Sequence, residues 1–143
     1  MNSRELRKKN WVMYDDGTMR TCYGIKYDDV GLNGFPQMLS ENVIRPIPLT
    51  PEILEKMGFV LEGSEAGDDG AYELVIEAYD ISFLLIQKAG EYMTEESVGL
   101  WIQNPLRYSE GFKIDISRVA HVHELQNIYF CIVGSELIFD LNN

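Results

Sequence analysis

Residues 118–137 read RVAHVHELQNIYFCIVGSEL, a stretch with the strongest helix signal in the chain, both histidines and one of the two cysteines. Val122, Leu125, Tyr129 and Ile132 recur at i, i+3, i+7 and i+10, and Ile128 and Val133 widen the stripe. This spacing predicts a helix from about Ala120 or His121 to Val133. Gly134 supplies a residue able to turn the chain at its end. Leu137-Ile138-Phe139 is then expected to return as an edge strand. An apolar stripe of this length needs a surface to cover, and the expected surface is a sheet faced by Val122, Leu125, Tyr129 and Ile132.

The strands of that sheet are found upstream. Phe59-Val60-Leu61, Tyr72 to Glu77, Ile81 to Gln87, Val98 to Ile102 and Phe112 to Ile116 are rich in β-branched and aromatic residues. In the last of these Phe112, Ile114 and Ile116 alternate strictly and share one face. Ala78-Tyr79-Asp80 is short enough for a hairpin connection, while Gly63 to Gly70, Lys88 to Ser97 and Asn104 to Gly111 read as loops. Ahead of them comes a short helix. Thr50 is its N-cap, Pro51 takes the first helical position, Glu52 favours the positive end of the dipole, and Gly58 ends it.

The first third of the chain reads as short strands. Trp11-Val12-Met13-Tyr14 and Arg20 to Ile25 flank Asp15-Asp16-Gly17, whose Asp-Gly pair suits a tight hairpin turn. Tyr27 continues the second strand, Asp28 to Gly34 reads as a loop with two turn glycines, and Met38-Leu39 and Asn42-Val43-Ile44 supply one or two more strands. Short strands joined by tight turns suit a small SH3-like β-barrel. Pro46-Ile47-Pro48-Leu49 forms a stiff connector. The expected class is therefore α+β. An N-terminal barrel-like part, 1–46, precedes an α+β part, 47–143, whose antiparallel sheet packs against the C-terminal helix.

Composition limits the classes of function. A chain of 143 residues with 45% apolar and 24% charged residues is long enough for a real core and too apolar for extended disorder. The apolar run Ile81 to Ile86 is too short to span a bilayer. Trp11 to Tyr14 is followed at once by Asp15-Asp16-Gly17, leaving no apolar core for a signal peptide, so a cytoplasmic protein without membrane association is expected. Cys22 and Cys131 form no CxxC pair and are expected to be free, partly buried thiols. The net charge of −11 is unevenly distributed: residues 1–46 carry +1 and residues 47–143 carry −12. Any contact with phosphates would have to use the front third.

No constellation for catalysis stands out. His121-Val122-His123-Glu124 invites a metal-site reading, but residues two apart on a helix point about 200° from one another. The HExxH spacing fails because position 127 is Asn127. Cys131 stands among Phe130, Ile132 and Val133, where a thiol is expected to fill core, and its distance from both histidines argues against a nucleophile–base pair. Glu65, Asp68, Asp69, Gly70 and Glu73 lack the ligand spacing of a calcium loop. Gly-rich phosphate loops are absent. No catalytic residue, cofactor or metal is expected. One binding surface can be drawn, in which Arg4, Arg7, Lys8 and Lys9 lie beside Trp11, Tyr14, Tyr23 and Tyr27. Basic charge interleaved with aromatics can serve a protein partner or single-stranded nucleic acid.

The segment His121 to Phe130, closing with Gly134-Ser135-Glu136-Leu137, resembles the ending of small uncharacterised proteins of gut Bacteroidales and their prophages and conjugative elements. That ending reads approximately VHxLQNLYFALTGEEL. Versions of Ile47 to Phe59, and of Arg4-Glu5-Leu6-Arg7 followed by Asn10-Trp11-Val12, recur in their middle and at their start. This chain departs from them with Lys9 in place of the usual Gly and Cys131 in place of Ala. The resemblance implies mobile-element cargo in a bacterial cytoplasm and no particular activity. The function expected is a non-enzymatic protein-interaction module with an unidentified protein partner. Nucleic-acid binding through residues 4–27 is the alternative, and an enzyme with a dispersed site is a third.

Overall fold

The computed structural model describes residues 1–62, 70–76, 81–87, 98–103, 113–117 and 119–143. The expectations for Ala78-Tyr79-Asp80, for the loops at 63–69, 88–97 and 104–111, and for Phe112 lie outside the described residues. The fold is mixed α and β, with two antiparallel sheets and a C-terminal helix. The chain forms two compact units: Met1–Pro48 with His121–Leu137 and Leu141–Asn143, and Leu49–Ala120 with Ile138–Asp140.

The first unit holds five strands, β1 (Trp11–Tyr14), β2 (Met19–Lys26), β3 (Asp29–Leu32), β4 (Leu39–Ser40) and β5 (Ile44–Arg45), in the order β4-β3-β2-β1-β5. β2 stops short of Tyr27, and β3 lies where the sequence reads as a loop, because Val30 and Leu32, on either side of Gly31, are buried in the core. The β1–β2 hairpin forms where the Asp-Gly pair predicts it. Gly17 takes φ +85°, and Asp16 Oδ1 accepts from the Thr18 N–H at 2.8 Å and the Thr18 hydroxyl at 2.6 Å. Asn42 and Val43, expected in a strand, instead form a 3-10 turn over Glu41–Val43. The Ser40 hydroxyl accepts the Asn42 N–H at its start. This turn returns the chain so that β5 pairs with β1, Met13 opposite Arg45 and Tyr14 opposite Ile44. Among the described residues no pairing joins β4 to β5, so the sheet is not a closed barrel. Leu6, Val12, Cys22, Val30, Leu32 and Ile44 form its core.

Helix α2 (Val122–Val133) belongs to this first unit, where the sequence reading assigned it to the second. Its buried stripe is Val122, Leu125, Tyr129 and Val133, interrupted by two buried polar residues, His123 and Gln126. Ile132 and Cys131, read from the sequence as inward-facing, are exposed. At 3.6 residues per turn Val133 closes three full turns from Val122, which rotates position 132 outward. Gly134 ends the helix at φ +80° and donates its N–H to the Phe130 carbonyl at 2.9 Å. Where the chain leaves and re-enters the unit it is stitched together. Pro48 bridges His121, and the Val122 N–H donates to the Ile47 carbonyl at 2.9 Å.

The second unit opens with α1 (Pro51–Lys56), capped by the Thr50 hydroxyl, which accepts the Ile53 N–H at 3.3 Å. A meander follows: β6 (Val60–Glu62), β7 (Gly70–Ile76), β8 (Ile81–Gln87), β9 (Val98–Gln103) and β10 (Lys113–Ser117), in the order β10-β9-β8-β7-β6. Tyr72 pairs with Leu85 and Leu74 with Phe83; Ile114 pairs with Ile102 and Ile116 with Leu100. Tyr72, Ile81, Phe83 and Leu85 are buried, as are Ile53, Leu54 and Met57 of α1 and its C-cap, and Phe59 beyond it. Gly58, at φ +93°, lies within 3.5 Å of the Leu74 methyl, measured from the position a Cβ would take. Leu137-Ile138-Phe139 is no strand; the segment joins no ladder, and Ile138 points almost wholly into solvent.

Candidate interaction surface along the second strand

The N-terminal segment is laid alongside β2 by a series of short hydrogen bonds. At one end the Ser3 hydroxyl donates to the Tyr27 carbonyl at 3.0 Å, and the Ser3 N–H donates to Glu41 Oε2 at 2.6 Å. That bond holds the Glu41 carboxyl below the usual carboxylate range. At the other end the Lys9 N–H donates to the Cys22 carbonyl at 2.7 Å, and the Cys22 N–H donates to the Asn10 carbonyl at 2.8 Å. Residues 3–10 therefore run antiparallel to β2 from Tyr27 back to Cys22. Asn10, fully buried, closes a turn by accepting the Arg7 N–H on its side-chain oxygen at 2.6 Å. The turn leaves Lys9 at φ +71°, a backbone region that non-glycine residues seldom adopt.

Helix α2 clamps this segment through Gln126 and Asn127. Gln126 Oε1 accepts the Trp11 N–H at 2.9 Å and lies 3.5 Å from Asn10 Nδ2, while Gln126 Nε2 donates to the Lys9 carbonyl at 3.2 Å. Asn127 Nδ2 donates to the Glu5 carbonyl at 2.9 Å, and its oxygen accepts from Arg7 Nε at 2.9 Å. Sequence reasoning missed both residues as anchors. The available signal was the placing of polar Gln126 on the apolar stripe, one residue after Leu125.

Of the eight residues nominated for binding, three serve the fold. Arg7 is bonded to Asn127, to the Gln126 carbonyl and to Glu136 at 2.7 Å, with its guanidinium 4.1 Å from the Phe130 ring centroid. Trp11 is buried, and half-buried Tyr14 packs against the core with its ring 4.8 Å from Phe35. The other five, Arg4, Lys8, Lys9, Tyr23 and Tyr27, are exposed. Tyr23 is 42% exposed, and its ring lies over Gly31, where a Cβ would come within 2.5 Å of it. Tyr27 is 86% exposed and holds φ +56° in the two-residue turn between Lys26 and Asp29, which pair.

The two histidines differ from expectation. His121 is the N-cap of α2 with extended backbone, φ −127° and ψ 153°, so the helical 200° separation does not apply. The imidazole centroids are 5.8 Å apart. Glu124 Oε2 accepts the His121 N–H at 3.0 Å and stands 3.4 Å from His121 Nδ1. His123 is 2% exposed, its ring nitrogens make no hydrogen bond, and Nε2 lies 3.9 Å from Glu5 Oε2. Burial, opposed by the Glu124 charge and reinforced by His121, pushes its pKa down to about 4, so it is neutral at pH 7. Among the described residues no group of three His, Cys, Asp or Glu is arranged to hold a metal ion. Glu65, Asp68 and Asp69 of the acidic turn lie outside the described residues. Cys22 is buried, which pushes its thiol pKa up; Cys131 is an exposed free thiol and not core filler.

Among the described residues no helix is long and apolar enough to cross a membrane. Comparison of the chain with protein-family models, curated proteins and solved structures finds no match.

Proposed function

We propose that this protein is a non-enzymatic interaction module whose contact surface is the strip formed by Tyr23 and Tyr27 of β2 and its turn, with Lys8, Lys9 and Arg4 of the segment beside it. One observation carries this reading. Among the described residues the only non-glycine residues at positive φ are Lys9 and Tyr27, and both belong to this strip. Such a backbone costs on the order of 1–3 kcal/mol, and strain of this kind concentrates at functional sites. At position 27 the fold gains no burial in return, because the tyrosine is 86% exposed. Exposed tyrosines on a rigid backbone, with mixed charge around them, are features of protein-binding surfaces.

The return of β5 to β1 through a 3-10 turn supports an SH3-like arrangement for the first unit, a fold that commonly presents aromatic residues to peptides. The resemblance of residues 121–137 to proteins of Bacteroidales mobile elements supports a bacterial cytoplasmic setting and a partner from the host or from the element. Nucleic acid is the alternative ligand, favoured by the exposed Lys8 and Lys9 beside Tyr23.

The test is Tyr27→Gly. It should raise stability by up to about 1 kcal/mol by relieving the turn, and it should abolish photo-crosslinking of the full chain to its partner through a benzophenone probe placed at Tyr23. Crosslinking that survives Tyr27→Gly at full strength overturns the reading. A crosslink to nucleic acid that disappears in high salt and in the Lys8→Glu, Lys9→Glu double variant would establish the alternative.

A further inference from the structure

In the second unit, β6 is the edge strand, and among the described residues nothing pairs with its outer side. Both of its large apolar residues are open to solvent, Val60 at 60% and Leu61 at 42%. They point to opposite faces of the sheet. Val60 pairs with Glu73 and so shares a face with Val75, itself 49% exposed. Leu61 pairs with Tyr72 on the other face, where Glu55 and Glu52 of α1 lie close enough to act on the tyrosine hydroxyl. Burial first, and those two charges after it, push that hydroxyl's pKa up. Each face of this edge thus offers an exposed aliphatic residue next to carboxylates.

Edge strands left open in this way are templates for pairing with another chain, and natural proteins usually blunt them with lysine, proline or a covering segment. β6 holds neither lysine nor proline; its three-residue length and the charged Glu62 limit the edge without pairing its N–H and C=O groups. Charge selects the occupant. Residues 49–120 hold five Lys/Arg against fourteen Asp/Glu, so a second copy would be repelled and a cationic chain attracted.

We infer that the outer edge of β6 is a docking site for an extended segment of another protein in which aliphatic residues alternate with Lys or Arg, added to the sheet as an antiparallel or parallel sixth strand. Its backbone would satisfy the open N–H and C=O groups of β6. Its aliphatic side chains would cover Val60 and Val75 on one face or Leu61 on the other, and its cations would meet Glu73 or the pair Glu52 and Glu55. This site adds a second contact to the interaction reading and lies on a different unit from the Tyr27 strip.

The probe is a fluorescein-labelled peptide of alternating Val and Lys, titrated with the full-length protein by anisotropy. Three controls accompany it: the same peptide N-methylated at alternate residues, a Val/Glu peptide, and the Val60→Lys protein. The Val/Lys peptide should bind, N-methylation and Val60→Lys should each weaken it at least tenfold, and the Val/Glu peptide should not bind. Equal binding by the N-methylated peptide, which keeps charge and composition, would show charge attraction alone and overturn the proposal. Undiminished binding to Val60→Lys would do the same, as would a concentration-dependent dimer abolished by Val60→Lys, which would make a second copy the occupant. Tyr27→Gly should leave this affinity unchanged, so the two surfaces fail or stand separately.

Discussion

Gln126 is nearly inaccessible to solvent, yet its amide serves three groups of the N-terminal segment: the Trp11 N–H, the Asn10 side chain and the Lys9 carbonyl. Replacing it by an apolar residue of similar size takes this partner from the buried Trp11 N–H and from the part-buried Lys9 carbonyl. Gln126→Leu should therefore cost about 2–4 kcal/mol in a urea titration. His123 makes the opposite bargain, giving up hydrogen bonds for burial. Its imidazole titrates at about 4 when folded against an ordinary 6.5, so the unfolded chain binds the extra proton between those values. Stability from this residue is intact above pH 6.5 and falls as pH drops toward 4, by about 3 kcal/mol. Glu5, Glu124 and His121 are the ionisable groups that face the ring. His123→Phe should flatten the fall in urea midpoint between pH 6.5 and 4; an unchanged slope would remove His123 as its source.

At the scale of elements, the signals that rest on local chemistry were legible in the sequence. The Asp16-Gly17 hairpin, Thr50 and Pro51 at the start of α1 and Gly134 after α2 act where their backbone preferences predict. Thr50→Ala should accordingly cost about 1 kcal/mol, read by thermal unfolding; no change would show that the cap bond contributes nothing. Signals that depend on the exact start of an element were not legible. His121 lies one position before α2, and that single step brings its ring beside His123 where a helical residue would have pointed away. Cys131 and Ile132 read as inward-facing only while apolar character defines the buried face, and the buried positions at 123 and 126 are polar. Of the proposed contact surface, the residue types could be listed from the sequence, but not which of them the fold consumes. Arg7 looks like Lys8 in composition, and only its partners at Asn127 and Glu136 distinguish it.

For the whole molecule, the sequence suggests a boundary after residue 46 and gives the long helix to the second sheet. The chain instead leaves the first unit at Pro48 and returns to it at His121, with a complete meander inserted between. Partners such as Asn127 and Glu5, or Gln126 and Trp11, lie more than a hundred residues apart, and no local pattern announces them. Residues 1–48 hold a core cluster of six buried apolar side chains, with Trp11 and Ile47 also buried, and α2 adds Val122, Leu125, Tyr129 and Val133 to the unit. A sheet this small needs that helix to be stable. The most direct test removes residues 121–143 from a Trp101→Phe chain and follows the fluorescence of Trp11, the remaining tryptophan. The helix-clamped account predicts red-shifted emission from an exposed indole and no cooperative transition in urea. Blue-shifted emission with a cooperative transition would show that the N-terminal strands fold without α2 and would contradict it.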